Sequence, residues 1–204
     1  MAMPTIDRSE AWRDKIPVPV LPAHHLWMNL YWQAWYRVVA QAPHLLPAAE
    51  TGVLWDPDFP ITGQVLGLAA EKERSTAAAE RTLEVAAAAT TAGSSPWTAV
   101  EPLQLILLLV CQVIGMTTSL SQNRITWHLE RTPPIGLRNL RLGSNQILLV
   151  ATTSRGDGLV VVATAKRPFQ LEIDTGFTTF LEHLPAGQHR LLLAHLDRTD
   201  VRQV

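Results

Sequence analysis

The chain has 204 residues, of which 47% are apolar and only 17% charged, against a usual charged share of about 25%. Its 17 basic and 18 acidic residues leave a net charge of −1, which argues against binding nucleic acid by phosphate neutralisation, since that needs clustered Lys and Arg. A chain of this length can bury roughly 70% of its unfolded surface, and one so poor in charge is expected to keep some apolar surface for a protein partner.

One cysteine, Cys111, lies within an apolar run. It has no partner for an internal disulfide, so nothing demands an oxidising compartment. Flanked by bulky aliphatics, it reads as a small buried hydrophobe rather than a nucleophile. The opening MAMPTIDRSEAWRDKIPVPV is polar and carries prolines where a signal peptide needs an apolar stretch. Secretion by that route is not expected, and a virion or cytoplasmic location is. The uncharged stretch from Pro102 to Asn123 has an apolar core, Leu103 to Met116, of only 14 residues. A helix needs about 20 to span a bilayer, and Gln104 and Gln112 lie inside this one. A buried core element is expected, and no membrane span.

Residues 1–22 read as an extended N-terminal arm, because Pro4, Pro17, Pro19 and Pro22 remove backbone donors and bias their predecessors to extended conformations. The alternation from Ile16 to Val20 suits an edge strand or a polyproline II segment laid on a surface. Residues 23–42 form the clearest helix. Leu26, Leu30, Ala34 and Val38 fall on one row at spacing four, and Trp27, Tyr31, Trp35 and Val39 on the next. Met28, Trp32, Tyr36 and Ala40 make a third apolar row, which leaves Asn29, Gln33, Arg37 and Gln41 as the polar one. A helix apolar over three rows of four is buried on more than one side. Trp27, Tyr31, Trp32, Trp35 and Tyr36, with Pro17 and Pro19 of the arm, are candidate interface residues, because Trp and Tyr anchor protein contacts. Plain core packing is the competing reading.

Residues 48–64 are expected to be a loop, rich in turn formers. Asp56 and Asp58 lack the rest of a calcium-ligand series and point to turn chemistry. Residues 65–92 are expected to be an Ala-rich helix, which must approach another helix, or copies of itself, through its alanine surface. The run from Gly93 to Pro96 then serves as a hinge. The segment from Leu103 to Ile114 is ambiguous between a buried helix and a central strand. Strands are expected over Arg124–Glu130, Leu137–Leu142, Gln146–Thr153, Leu159–Ala165, Phe169–Asp174, Phe177–Leu184 and Arg190–Leu196. Turns at Ser154–Gly158 and Pro185–Gln188 join four of them.

Chemistry-bearing motifs are largely missing. No phosphate-cradling glycine loop and no nucleophile elbow can be read, and one cysteine cannot build a zinc site. The best metal or acid–base set is Glu182, His183, His189, His195 and Asp197. On a regular strand, however, His189 and His195 stand about 20 Å apart at roughly 3.3 Å per residue. The His24-His25 pair diverges on a helix, and Arg155-Gly156-Asp157 is explained by a Gly-rich hairpin. No cofactor, metal or catalytic residue is expected.

These features describe an α+β protein, with a helical N-terminal half and a C-terminal antiparallel β-sandwich or partly open barrel. Its regions are an arm over 1–22, a helical region over 23–96 and a β-rich domain over 97–204. The expected role is a non-enzymatic structural or assembly protein. It would be a homo-oligomeric subunit of a larger particle such as a phage virion (capsid-associated, tail or fibre), in contact with itself and other structural proteins. The Ala-rich stretch is loosely similar to the alanine-rich connecting segments of phage fibre proteins. The alternatives are an adaptor that holds a partner through its β-domain, and an enzyme with a dispersed site.

Overall fold

The computed structural model describes residues 10–60, 62, 76–98, 100–129, 133–153 and 158–193. The apolar rows after residue 23 form helix α1 (His25–Gln41), whose buried face is Trp27, Leu30, Tyr31, Ala34, Trp35 and Val38. That is the i, i+3, i+4 spacing of an amphipathic helix. The helix ends because Ala42 precedes Pro43 and leaves the helical region, at φ −138° and ψ 57°.

The expected loop over 48–64 holds more order than its turn residues suggest. Helix α2 (Leu46–Thr51) starts with Pro47 in its first turn, where the missing N–H has no partner to lose. It stops at Gly52 in the left-handed region (φ 87°). A 3-10 turn, Val53–Trp55, then buries Leu54 and Trp55. Asp56 does the turn work expected of it, accepting the Asp58 N–H at 3.0 Å.

Helix α3 (Thr76–Thr91) realises the described part of the Ala-rich stretch, and residues 65–75 of that expectation lie outside the described residues. It buries Ala79, Leu83, Ala86 and Ala87. This small-residue face lets it approach α1 and the next apolar helix closely. That helix resolves the ambiguity over Leu103–Ile114. It begins as α4 (Pro102–Leu107) and continues as a π-helical segment, Leu108–Val113. Pro102 sits in its first turn, and the side chains from Leu105 to Cys111 are all buried. Among the described residues no helix is long and apolar enough to cross a membrane.

Among the described residues nine strands form: seven at the expected places, one where the arm was expected to lay down an edge strand or polyproline II segment, and one addition. They are β1 (Val18–Val20), β2 (Met116–Ser119), β3 (Arg124–His128), β4 (Ile135–Leu142), β5 (Asn145–Thr153), β6 (Leu159–Ala165), β7 (Phe169–Asp174), β8 (Thr179–Leu184) and β9 (Gly187–Leu193). The arm supplies β1, and β2 lies in a stretch where no strand was expected. One sheet has the order β1-β4-β5-β6-β9 and the other β2-β3-β7-β8, and neither closes on itself. Among the described strands the pairing is antiparallel with one exception, since β3 and β7 run parallel. The fold is therefore mixed α+β, with two open sheets. Buried residues of α1, α3, α4 and both sheets join in a single hydrophobic cluster.

The arm is held by side-chain chemistry as well as by its strand. Register shifts in β4 between Leu137 and Leu140, and there Asn139 adopts φ 59°, a conformation that Asn tolerates better than most residues. Its Nδ2 donates to Asp14 O (2.5 Å) and Ile16 O (2.9 Å), while its Oδ1 accepts from Gln146 Nε2 at 2.6 Å. From the other side Tyr31 donates its hydroxyl to Pro17 O at 2.5 Å. Arg141 O lies 2.0 Å from the position a Cβ on Gly52 would occupy, so α2 meets β4 backbone to backbone.

Asn139→Ala should lower unfolding free energy by about 2–3 kcal/mol, from two lost bonds to the arm and left-handed strain. Asn139→Gly loses the same bonds without that strain and should be about 1 kcal/mol milder. Chemical denaturation of the two variants side by side checks the order.

Candidate interaction surface

The aromatic residues expected at an interface are turned mostly towards the chain itself. Tyr31 and Trp35 are fully buried, Trp27 nearly so, and Pro17 and Pro19 are buried under the arm's contacts. Burial pushes the Tyr31 phenol far above its ordinary pKa. Trp35 meets Trp55 edge-on at 6.4 Å. Trp32 and Tyr36 are half-buried and close on the arm. Trp12 lies 6.4 Å from Trp32 and 5.3 Å from Tyr36. The Arg13 guanidinium stands 5.9, 5.1 and 5.0 Å from the rings of Trp12, Trp32 and Tyr36, and it donates to the Tyr36 hydroxyl. Cation–π contacts of this kind contribute about 0.5–2 kcal/mol each according to their desolvation. The row that could anchor a second chain thus anchors residues 12–17 of its own.

Among titratable groups, the described members of the C-terminal set, Glu182, His183 and His189, are divided between two sheets. His183 lies on β8 opposite Gln170 of one sheet, and His189 on β9 opposite Ala163 of the other. His189 donates through Nε2 to Pro185 O at 2.8 Å. His195 and Asp197 lie outside the described residues, as does the whole of Arg155-Gly156-Asp157. No three His, Cys, Asp or Glu side chains cluster to hold a metal ion among the described residues. Cys111 is buried and its thiol is pushed up to about 12, the state of a packed hydrophobe rather than a ready nucleophile. A cleft of about 500 Å³ where α1 and α3 begin presents His24, Thr76 and Glu80 beside Pro133 and Pro134. The His24 ring stacks on Trp27 at 4.1 Å, which ties it to the helix start.

The sheet edges differ in kind. On one side the edge strands are β1, three residues with Pro19 at the centre, and β2, four residues. Short strands and edge prolines are common protections against pairing with another chain. The opposite edges, β8 and β9, have six and seven residues and no proline. No described strand pairs with their outer sides. Among the described residues five large apolar side chains are well exposed, and three of them lie here: Phe177, just before β8, Leu181 on β8 and Leu192 on β9.

Between these two edges runs a groove of about 360 Å³ lined by Leu171, Ile173, Phe180 and the β9 leucines, with Glu182 and Arg190. Register shows how Glu182 comes to line it. Phe180, Glu182 and Leu184 stand opposite the buried Ile173, Leu171 and Phe169 of β7, so Glu182 points to the core side of its strand and remains exposed there. The sheets therefore stay apart at this end, since closing them would desolvate the carboxylate. This surface could not be read from the sequence, where Leu181 and Leu192 look like ordinary strand residues.

No family model, curated protein or solved structure matches the chain.

Trp35→Ala should destabilise the fold by about 3–5 kcal/mol, the usual range for a fully buried aromatic, measured as a fall in the denaturation midpoint. A second test concerns Asp174. The Gly176 N–H, bonded to Oδ1 at 2.8 Å, and the His128 side chain, 3.2 Å from Oδ2, hold its carboxyl below its ordinary pKa. A depressed carboxylate stabilises the fold above the unfolded pKa of about 3.9 and stops doing so as pH falls through the folded value. The Tm difference between wild type and Asp174→Asn should therefore be present at pH 5–7 and vanish below that folded value.

Proposed function

We propose that the protein is a non-enzymatic structural subunit, assembling with copies of itself and with other structural proteins in a larger particle such as a phage virion (capsid-associated, tail or fibre). The observation that carries this reading is the contrast between the protected edges β1 and β2 and the long, apolar, unprotected edges β8 and β9. A sheet that leaves a seven-residue edge exposed offers backbone donors and acceptors to another strand. The low charge supports the same reading, because a net charge of −1 opposes self-contact only weakly. In this reading the helices of residues 23–96 brace a partly open β-sandwich, and the location is a virion or the cytoplasm.

A second reading is favoured by the groove itself: an adaptor that takes an extended segment of a different protein between β8 and β9. Solution mass separates the two. Light scattering behind a sizing column should give a multiple of 22.5 kDa that persists on dilution. A monodisperse 22.5 kDa species at every concentration would overturn self-assembly and leave the adaptor.

A further inference from the structure

We propose that the N-terminal arm is exchanged between subunits, residues 10–20 of each copy seating on the rest of the other copy about a two-fold axis. The inference rests on the self-assembly reading and adds the segment that links the copies and the symmetry of the link.

The arm has the character of a tethered ligand. Its 3-10 turn (Glu10–Lys15) and three-residue β1 are too short to stand without partners. The partners described lie beyond residue 24. β1 pairs with β4, and Lys15 Nζ reaches Glu50 Oε1 of α2 at 3.2 Å. Trp12 and Arg13 close on Trp32 and Tyr36. Ile16 is fully buried, its carbonyl bonded by Asn139 and that of Pro17 by Tyr31. These contacts are the same whichever copy supplies the arm.

The connection to α1 is the kind that opens. From Leu21 to His24 the chain folds as a turn, with the His24 N–H donating to Leu21 O at 3.0 Å. Pro22 and Ala23 at its centre are exposed, and the turn borders the cleft of about 500 Å³. An extended path suits the same residues, because Pro22 has its φ locked at a value that polyproline II shares and biases Leu21 to extended conformations. Pro17 and Pro19 do the same within the arm, so a released arm keeps much of its seated shape and loses less freedom on docking again. A chain-end element on a short hinge can be exchanged between identical copies at low cost.

The occupant follows from what already sits there. The surface beneath one arm, the aromatic row of α1 and the outer edge of β4, is fitted by the same residues of a second copy. Reciprocal exchange fills both surfaces and closes as a dimer. It also reconciles the interface chemistry of Trp12, Trp32 and Tyr36 with their packing on one another, since in the exchanged pair those contacts cross between chains.

Two covalent links test the exchange on the full chain. In the wild type, zero-length carbodiimide coupling should join Lys15 to Glu50. In a mixture of isotope-labelled and unlabelled chains refolded together, mass mapping should find labelled Lys15 peptides joined to unlabelled Glu50 peptides. In a double variant, Val18→Cys and Arg138→Cys stand opposite in the β1–β4 pair, at the roughly 4.5–5.5 Å between Cα atoms that a disulfide spans. Mild oxidation should give a band at twice 22.5 kDa on a non-reducing gel. Links confined to single chains would overturn the exchange, and so would the failure of both to form. In either case a wild-type oligomer leaves self-assembly standing, whereas a wild-type monomer by light scattering would remove the reading beneath both.

Discussion

The rest of the structure depends on covering one helix. The run from Leu105 to Cys111 is apolar around its whole circumference and fully buried, so it needs partners on every side. Each large side chain there contributes about 1.5–3 kcal/mol only if water is excluded from all of it. Helix α1 covers one flank of α4, α3 covers the π-helical turn, and β2 packs on that turn from the sheet side. The alanine face of α3 suits this place, because bulkier residues would hold it away from the helix it must cover. Trp127 joins the helix end to the sheet by donating its indole N–H to Ile114 O at 2.8 Å.

Covering that helix takes up much of the aromatic surface of α1. Helix α1 turns Leu30, Tyr31, Ala34 and Trp35 inward, and its remaining aromatics, Trp32 and Tyr36, pack on Trp12 and Arg13. The arm then runs on as β1, paired to β4 and clamped by Asn139. It is an integral edge of the five-stranded sheet, and its proline guards that edge. At the far side of both sheets, Glu182 on the core side of β8 and the exposed leucines of β8 and β9 leave a groove. Core packing on one side thus decides where apolar surface remains on the other.

Much of the local structure was legible. The rows of α1, the alternation of β7 and the turn at Asp56 stand in the residues themselves, because each follows from a short-range period or a side chain bonding its own backbone. Legibility failed where the decision was made at a distance. Helix α2 lies in a stretch dominated by turn formers, yet Pro47 and Gly52 punctuate a helix as readily as a loop. The run over Leu103–Ile114 shows no period because it is buried all round, and a buried helix and a buried strand then look alike. Neither the parallel pairing of β3 with β7 nor the placing of His183 and His189 in different sheets has any local signature.

By itself the sequence determined a chain with low charge, a mixed α+β make-up, most of its helices and strands, and a cysteine suited only to packing. These follow from composition and periodicity, which act within a few residues. Tertiary structure alone decided which strands pair, which aromatics are consumed by the core, and which two edges stay open. A strand's backbone donors and acceptors are the same at every residue but proline, so its partner is chosen by what the whole fold brings beside it.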